Sequence, residues 1–414
     1  MFSSVRDRLR QGVRYEYVVI GAVVASTFFI GFGGGVIFPI LPNLDTVLGL
    51  SPFLVGLILS ANRFSRLVAN APAGALVDRF GTRTPMVVGM FVQGFATAGY
   101  VVALLAPFPE GWFVVARILW GVGSAAVFAT AFTIAADVST DASRGTSMGL
   151  IRGGVLLGFP SGVVLGGLVS ELADNLSAFV LATGFAFLAS GVAYLLIPET
   201  HVEEERDSVK PWEINTGLPA LTVGVVNFAV LFVYVGALFS TLVGLLDARD
   251  MGVFGLGAQG SSGIFIATTV LVAGASMFAS GYASDRRESR VPLLLGFLGV
   301  ICLGFLLLAR AHSVWGLTLA CVCIGAGQGG VSGPLLALLA DLTPGEQMGR
   351  AMGTNNVLGD IGGGLGPLVT LPIVDISGFW PVYLTCAALP AFAALVLLVG
   401  VFRETGQFLP SVEL

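Results

Sequence analysis

The sequence is short of charge, of histidine and of lysine. Asp, Glu, Lys and Arg together make up 11% of its 414 residues, against 55% apolar ones, and the mean hydropathy is +0.91. Soluble domains carry about 25% charged residues, so a water-soluble globular protein is excluded. Only two histidines occur, His201 and His312, both in predicted loops, which leaves a zinc or haem site little to stand on. The four cysteines, Cys302, Cys321, Cys323 and Cys386, all lie inside apolar runs. Cys321 and Cys323, two apart on a helix, point to different faces, and the four read as small core residues rather than a metal pair or disulfide. Lys210 is the only lysine against nineteen arginines, and the net charge is −5. No nucleic-acid partner, metal or cofactor is expected, and no nucleophile–base pair suggests an enzyme.

What is present is a succession of apolar runs long enough to cross a hydrocarbon core. The run from Tyr17 is too long for a signal peptide and lacks a small-residue cleavage site, so it reads as a retained helix. Punctuation at Pro, Gly and charged clusters predicts twelve helices. The first six are Tyr17–Leu41, Pro52–Leu76, Pro85–Ala106, Trp112–Ala136, Gly145–Val169 and Ser177–Ile197. The second six are Leu218–Leu246, Ser261–Tyr282, Val291–Ala309, Val314–Ala340, Gly349–Ile373 and Phe379–Phe402. The expected fold is all-α and integral to the membrane, with residues 1–198 and 218–414 as two six-helix bundles and 199–217 as a cytoplasmic linker.

Basic residues orient the chain. With the amino terminus inside, fourteen fall in cytoplasmic segments: Arg6, Arg8, Arg10, Arg14, Arg79, Arg83, Arg144, Arg206, Lys210, Arg286, Arg287, Arg290, Arg350 and Arg403. Outside loops hold only Arg249 and Arg310. The positive-inside rule then predicts both termini on the cytoplasmic side of the cell membrane. The halves also repeat. A shift of 204 positions pairs Gly121 with Gly325, Asp137 with Asp341, Gly158 with Gly362 and Gly162 with Gly366. A shift of 207 pairs "GALVDRFGTRTP" with "GYASDRRESRVP", matching Asp78-Arg79 and Arg83 to Asp285-Arg286 and Arg290. Parallel repeats about an axis normal to the membrane enclose a site at midplane.

The stretch Gly74-x-Leu76-x-Asp78-Arg79-x-Gly81-x-Arg83, the helix 4 run "RILWGVGSAA" from Arg117 and the turn "FPILP" resemble the major facilitator superfamily. Nearly the whole chain is covered, and the turn is similar to that of the twelve-helix drug/proton antiporter branch. The resemblance implies a secondary transporter working by alternating access, with protons and a small organic solute as its expected partners. Two features depart from the family's patterns. Thr82 stands where a basic residue is usual, and in "GVLLGFPSGVVLGG" Pro160 is displaced by one among its glycines, Gly158 and Gly162 included. Helix 11 carries "GGGLGP", Gly362 to Pro367, without the final Gly pair. These positions are expected to bend and pack helices.

Charge inside the helices marks candidate sites. Arg63 and Arg66 sit mid-helix, and Asn62, Arg66 and Asn70 at i, i+4, i+8 make one polar face. A central arginine costs at least about 2.5–3.5 kcal/mol, so this face must meet a wet cavity or be tied to backbone carbonyls as a packing lock. Arg117 and Arg152, nearer helix ends, either snorkel or join the cavity, and the family pattern associates Arg117 with proton coupling or the central site. Asp360 is the one carboxylate well inside a helix. It is expected to pair with an arginine across the cavity or to take a proton, the alternative being a permanent ion pair. Asn356, Gln328, Asn227 and Tyr234 are neutral candidates for the same cavity, unless Asn227 and Tyr234 merely satisfy a neighbouring helix. Asp78, Arg79, Arg83, Asp285, Arg286 and Arg290 are either solvated topology determinants or a state-dependent latch. By family analogy Asp78 docks near the start of helix 11, with Asp137 completing the network. The Gly runs lack the Lys-Ser/Thr of a nucleotide loop, so ATP-driven transport is not expected.

A cavity with more arginine than acid favours an anionic or neutral solute over a cation. The expected activity is proton-coupled efflux by a monomer. The alternatives are uptake or facilitated diffusion of an organic anion, and a non-transporting membrane sensor.

Overall fold

The computed structural model describes residues 13–43, 48–139, 144–200 and 216–410. Arg6, Arg8, Arg10, Arg206, Lys210, His201 and most of the expected linker lie outside the described residues. Among those described, long helices follow one another with short connections. They are α1 (Val13–Val36), α2 (Pro52–Phe80), α3 (Arg83–Leu105), α4 (Pro109–Val138), α5 (Arg144–Leu172) and α6 (Asn175–Leu196). Then come α7 (Leu218–Ala248), α8 (Ala258–Ser284), α9 (Val291–Arg310), α10 (Val314–Leu342), α11 (Gly345–Ser377) and α12 (Phe379–Thr405).

Eleven of these are long and apolar enough to cross a bilayer. The exception is α2, whose 29 residues span about 43 Å but whose Asn62, Arg63, Arg66, Asn70 and Asp78 make it too polar. Its length fits the membrane; its composition fits a protein interior. Helix ends follow local chemistry: Ser51, Asp174 and Ser313 cap α2, α6 and α10 with side-chain oxygens. The helices run past most predicted ends, so Gly74, Asp78 and Arg79 lie in the last turns of α2 rather than in a loop.

Packing repeats with a period of six helices. The pairs α1–α5, α2–α4, α3–α4, α3–α6 and α1–α6 recur as α7–α11, α8–α10, α9–α10, α9–α12 and α7–α12. The halves touch through α5–α8 and α2–α11, which are also related by that period. Small residues permit the close contacts: a methyl group at Gly158 or Gly162 would enter the Phe28 or Phe32 carbonyl of α1. Gly362 and Gly366 repeat this against Phe228 and Gly236 of α7. Large apolar side chains such as Phe95, Leu157, Phe278 and Phe392 are exposed, which suits lipid rather than water as the surrounding medium.

Along α7 the α-helical ladder is interrupted by a π-helical segment, Phe232–Leu238. Such segments tend to mark functional positions, and this one carries Tyr234 and Val235 into a central cavity.

Candidate functional site

The cavity, about 370 Å³, lies between the halves and is walled by α1, α2, α4 and α5 on one side and α7, α8, α10 and α11 on the other. Its polar wall comes from Asn62, Arg63, Arg66 and Arg117 of the first half, with Tyr234, Gln328 and Ser332 from the second. The charges are organised by one acid. Arg63 Nη1 donates to Asp360 Oδ1 at 3.1 Å and Arg66 Nε to Asp360 Oδ2 at 3.3 Å, while Arg66 Nη2 also meets Oδ1. The Asp360 residue is 7% exposed and both arginines are half-buried, so the three groups form a part-buried cluster joining α2 to α11. Among the described residues, neither Arg63 nor Arg66 is held by backbone carbonyls.

Arg117 is the residue held in that way. It is 1% exposed, donating from Nε to the Ile58 carbonyl at 3.1 Å and from Nη2 to the Leu59 carbonyl at 2.9 Å. Nη2 also donates to Asn62 Oδ1 at 2.7 Å. Snorkelling is therefore not what Arg117 does; it clamps α4 to α2 and orients Asn62 at the cavity wall.

The other candidates disperse. Asn70, Arg152 and Asn356 are exposed and are not among the cavity's lining residues; the Arg152 guanidinium stands over the Phe132 ring at 5.9 Å. Asn227 satisfies a neighbouring helix, donating from Nδ2 to the Asn355 carbonyl at 3.0 Å. Gln328 donates to Ser332 Oγ one turn on, at 3.2 Å. Pro367 lines the cavity beside Gly363, and Pro160 lies within α5.

The cavity also has an aromatic wall, of which the sequence reading singled out only Tyr234. Phe38, Phe159 and Phe239 pack with ring centroids 5.5 to 5.8 Å apart, and Tyr234 lies 4.9 Å from Phe239. Trp120 also lines the cavity. Its spacing of three from Arg117 places the two on one helix face, and Phe38 belongs to the "FPILP" turn; those were the available signals.

At the end bearing the turns α1–α2, α5–α6 and α7–α8, the halves are pressed together. Gly56 meets the backbone of Pro367 and Leu368, and Gly263 meets that of Val163. At the opposite end, which carries the first residues of α1 and the last of α12, Asp78 is exposed. Among the described residues it makes no hydrogen bond or ion pair, so it is not docked on α11. Asp137 accepts from Thr200 Oγ1 at 3.2 Å. The departure at Thr82 is explained here: Thr82 is buried, and Glu199 accepts from its N–H at 2.7 Å and its hydroxyl at 3.0 Å. Gly81 has φ +74° and packs on that carboxylate, so a side chain would not fit. Arg83 Nη2 donates to the Tyr194 carbonyl at 3.0 Å, whereas its counterpart Arg290 bridges Asp341 at 2.6 Å and Asp285 at 3.3 Å. Arg79 and Arg286 lie over Phe80 and Tyr282.

A family model described as the Major Facilitator Superfamily matches residues 23–367. The chain belongs to that superfamily. It is a multi-pass membrane protein and a secondary transporter, not an enzyme. Multidrug resistance protein 1 of Bacillus subtilis is 24% identical over 384 residues, covering 92% of this chain and 94% of the relative. The multi-drug resistance efflux pump PmrA of Streptococcus pneumoniae is 24% identical, covering 90% and 94%. A bacterial homologue of the human lysosomal transporter Spinster, crystallised in an inward-facing and occupied conformation, superposes with TM-score 0.75 at 16% identity, covering 96% of this chain and 99% of that one. The human organic anion transporter MFSD10 superposes with TM-score 0.66 at 21% identity, covering 94% and 100%.

Proposed function

We propose that this transporter is a monomeric, proton-coupled exporter of a small organic solute, anionic or neutral, in the cell membrane, with both termini cytoplasmic. The observation that carries the reading is Asp360 of one half bound to both Arg63 and Arg66 of the other beside the central cavity. A proton on Asp360 cancels the charge that holds the two guanidiniums and loosens α2 from α11. Coupling then needs no further group: the same carboxylate that takes the proton joins the halves. Two guanidiniums share one carboxylate, and Arg117 adds a third cation at the wall, so the unmatched charge favours an anion and opposes a cation. The aromatic wall offers apolar and π contact for the body of such a solute.

Efflux is favoured by the relatives, two of which are named for multidrug resistance and one of those for efflux. Orientation is supported by the basic residues at the end carrying the termini, among them Arg79, Arg83, Arg286 and Arg290, with Arg249 and Arg310 at the other. Proteoliposomes loaded with a pH-sensitive dye test the reading against a panel of aryl carboxylates, neutral aryl alcohols and aryl ammonium compounds. Solute-linked proton movement in the opposite direction is the expected result. Movement in the same direction supports uptake of the anion, flux without protons a facilitator, and no flux of any member overturns the proposed solute class.

A further inference from the structure

The sealed end contains a carboxylate that the transport reading does not use. Glu171, in the last turn of α5, reaches across the division between halves to the start of α8. Its Oε1 accepts the Gly257 N–H at 2.5 Å and its Oε2 accepts the Gly260 N–H at 2.7 Å. Gly257 is the N-cap of α8 and has no side chain to cap with, while the first N–H groups of any helix lack intrahelical partners. Ordinarily an N-cap hydroxyl takes the third helical N–H and a Glu at that third position returns to the N-cap N–H. Here one carboxylate from the other half does both, aided by the partial positive charge of the helix start. The approach depends on small residues: Gly167, one turn earlier on α5, packs on the backbone of Gln259 and Gly260.

The repeat makes the device informative. A shift of 204 positions carries Glu171 to Asp375 on α11, whose target would be the start of α2. Asp375 is exposed. The start of α2 caps itself, Ser51 Oγ accepting the Leu54 N–H at 3.3 Å, and Pro52 at its first position has no N–H to offer. The cap in trans is therefore built on one side only.

We propose that Glu171 is a positioning residue of the transport cycle, a latch that holds this end shut and lets go when α5 and α8 part. The proposal rests on the alternating-access reading but not on the solute or the coupling ion. Parting of the helices returns two N–H groups and a carboxylate to water, so the latch biases the equilibrium toward closure at this end.

The test measures that equilibrium directly. Spin labels at Gly111→Cys on α4 and Trp315→Cys on α10, both exposed at the sealed end, are placed in a chain whose four cysteines are replaced by alanine. Their separation is read by double electron–electron resonance in lipid nanodiscs. E171Q keeps the shape and removes the charge, and should raise the long-distance population about ten- to a hundredfold, the scale set by charge-assisted hydrogen bonds. D375N should match the parent. An unchanged E171Q distribution overturns the latch, as does an equal shift in D375N, which would mean a general effect of surface charge. Should E171Q instead lose its folded, monodisperse form while the equilibrium of E171D matches the parent, Glu171 is a structural staple and the proposal fails. Flux in proteoliposomes reports separately: a label shift without flux of the panel solutes overturns the proposed solute and coupling and leaves the latch standing.

Discussion

Replacing Asp360 with Asn separates a working joint from a fixed staple. In the parent, Asp360 serves two guanidiniums, and the Arg63, Arg66 and Asp360 side chains are 18%, 24% and 9% exposed. Asn retains the shape but strands two cations that face each other at the cavity wall. Removing one partner of a buried pair costs about 3–5 kcal/mol, and cavity water brings this site to the lower end, about 3 kcal/mol. Arg66→Ala acts differently, because Asp360 keeps Arg63 and the charges become balanced one to one. Its cost is that of a partly wetted charged hydrogen bond, about 1.5 kcal/mol. The expected order of apparent Tm in detergent is therefore parent, R66A, D360N, with the double variant D360N/R66Q recovering part of the loss. Transport should follow another order: R66A is inactive although folded, and D360N loses solute-linked proton movement. If R66A falls to or below D360N in Tm, the cluster is a packing lock. If D360N still couples protons to solute, another group carries them.

Asp78→Asn should slow turnover while leaving solute binding intact, measured as transport rate against a binding isotherm; lost binding would refute a latch at the end carrying the termini. Arg117→Gln should lower apparent Tm more than R66A does, because a buried residue surrenders its bonds to Ile58 and Leu59, a loss of about 3 kcal/mol; a neutral result in thermal unfolding would refute the clamp. Gly162→Leu should drive α1 from α5, seen as loss of a monodisperse peak in gel filtration, since its site faces the Phe32 carbonyl. Asp174 lies between α5 and α6, and the N–H and side chain of Ser177 hold its carboxyl below the usual carboxylate range. A depressed folded-state pKa gives stability that is present above the unfolded value, near 4, and lost as pH falls through the folded one. Asp174→Ala should therefore lower apparent Tm at pH 7, with the difference shrinking in acid; a pH-independent difference would point to helix propensity instead.

Composition and periodicity sufficed for the medium, the helices and the repeat, because a hydrocarbon core imposes length and apolarity residue by residue. The mid-helix placement of Arg63, Arg66 and Asp360 was equally legible, since a charge at that depth is costly whatever surrounds it. Their partners were not. Nothing in the chain says that Asp360 meets both arginines while Arg117 turns to main-chain oxygens, because that depends on how α2, α4 and α11 pack. The phenylalanines of the aromatic wall escaped notice for a related reason: phenylalanine is common in lipid-facing and core positions alike, and only the packing of α1, α5 and α7 gathers Phe38, Phe159 and Phe239. Glu171 was invisible too, being a helix-end carboxylate whose partner is a backbone 86 residues away. The sequence by itself determined which groups cannot be left alone in a membrane. Tertiary structure decided who answers each of them, since hydrogen bonds and ion pairs between distant segments are set by helix position and not by any local preference.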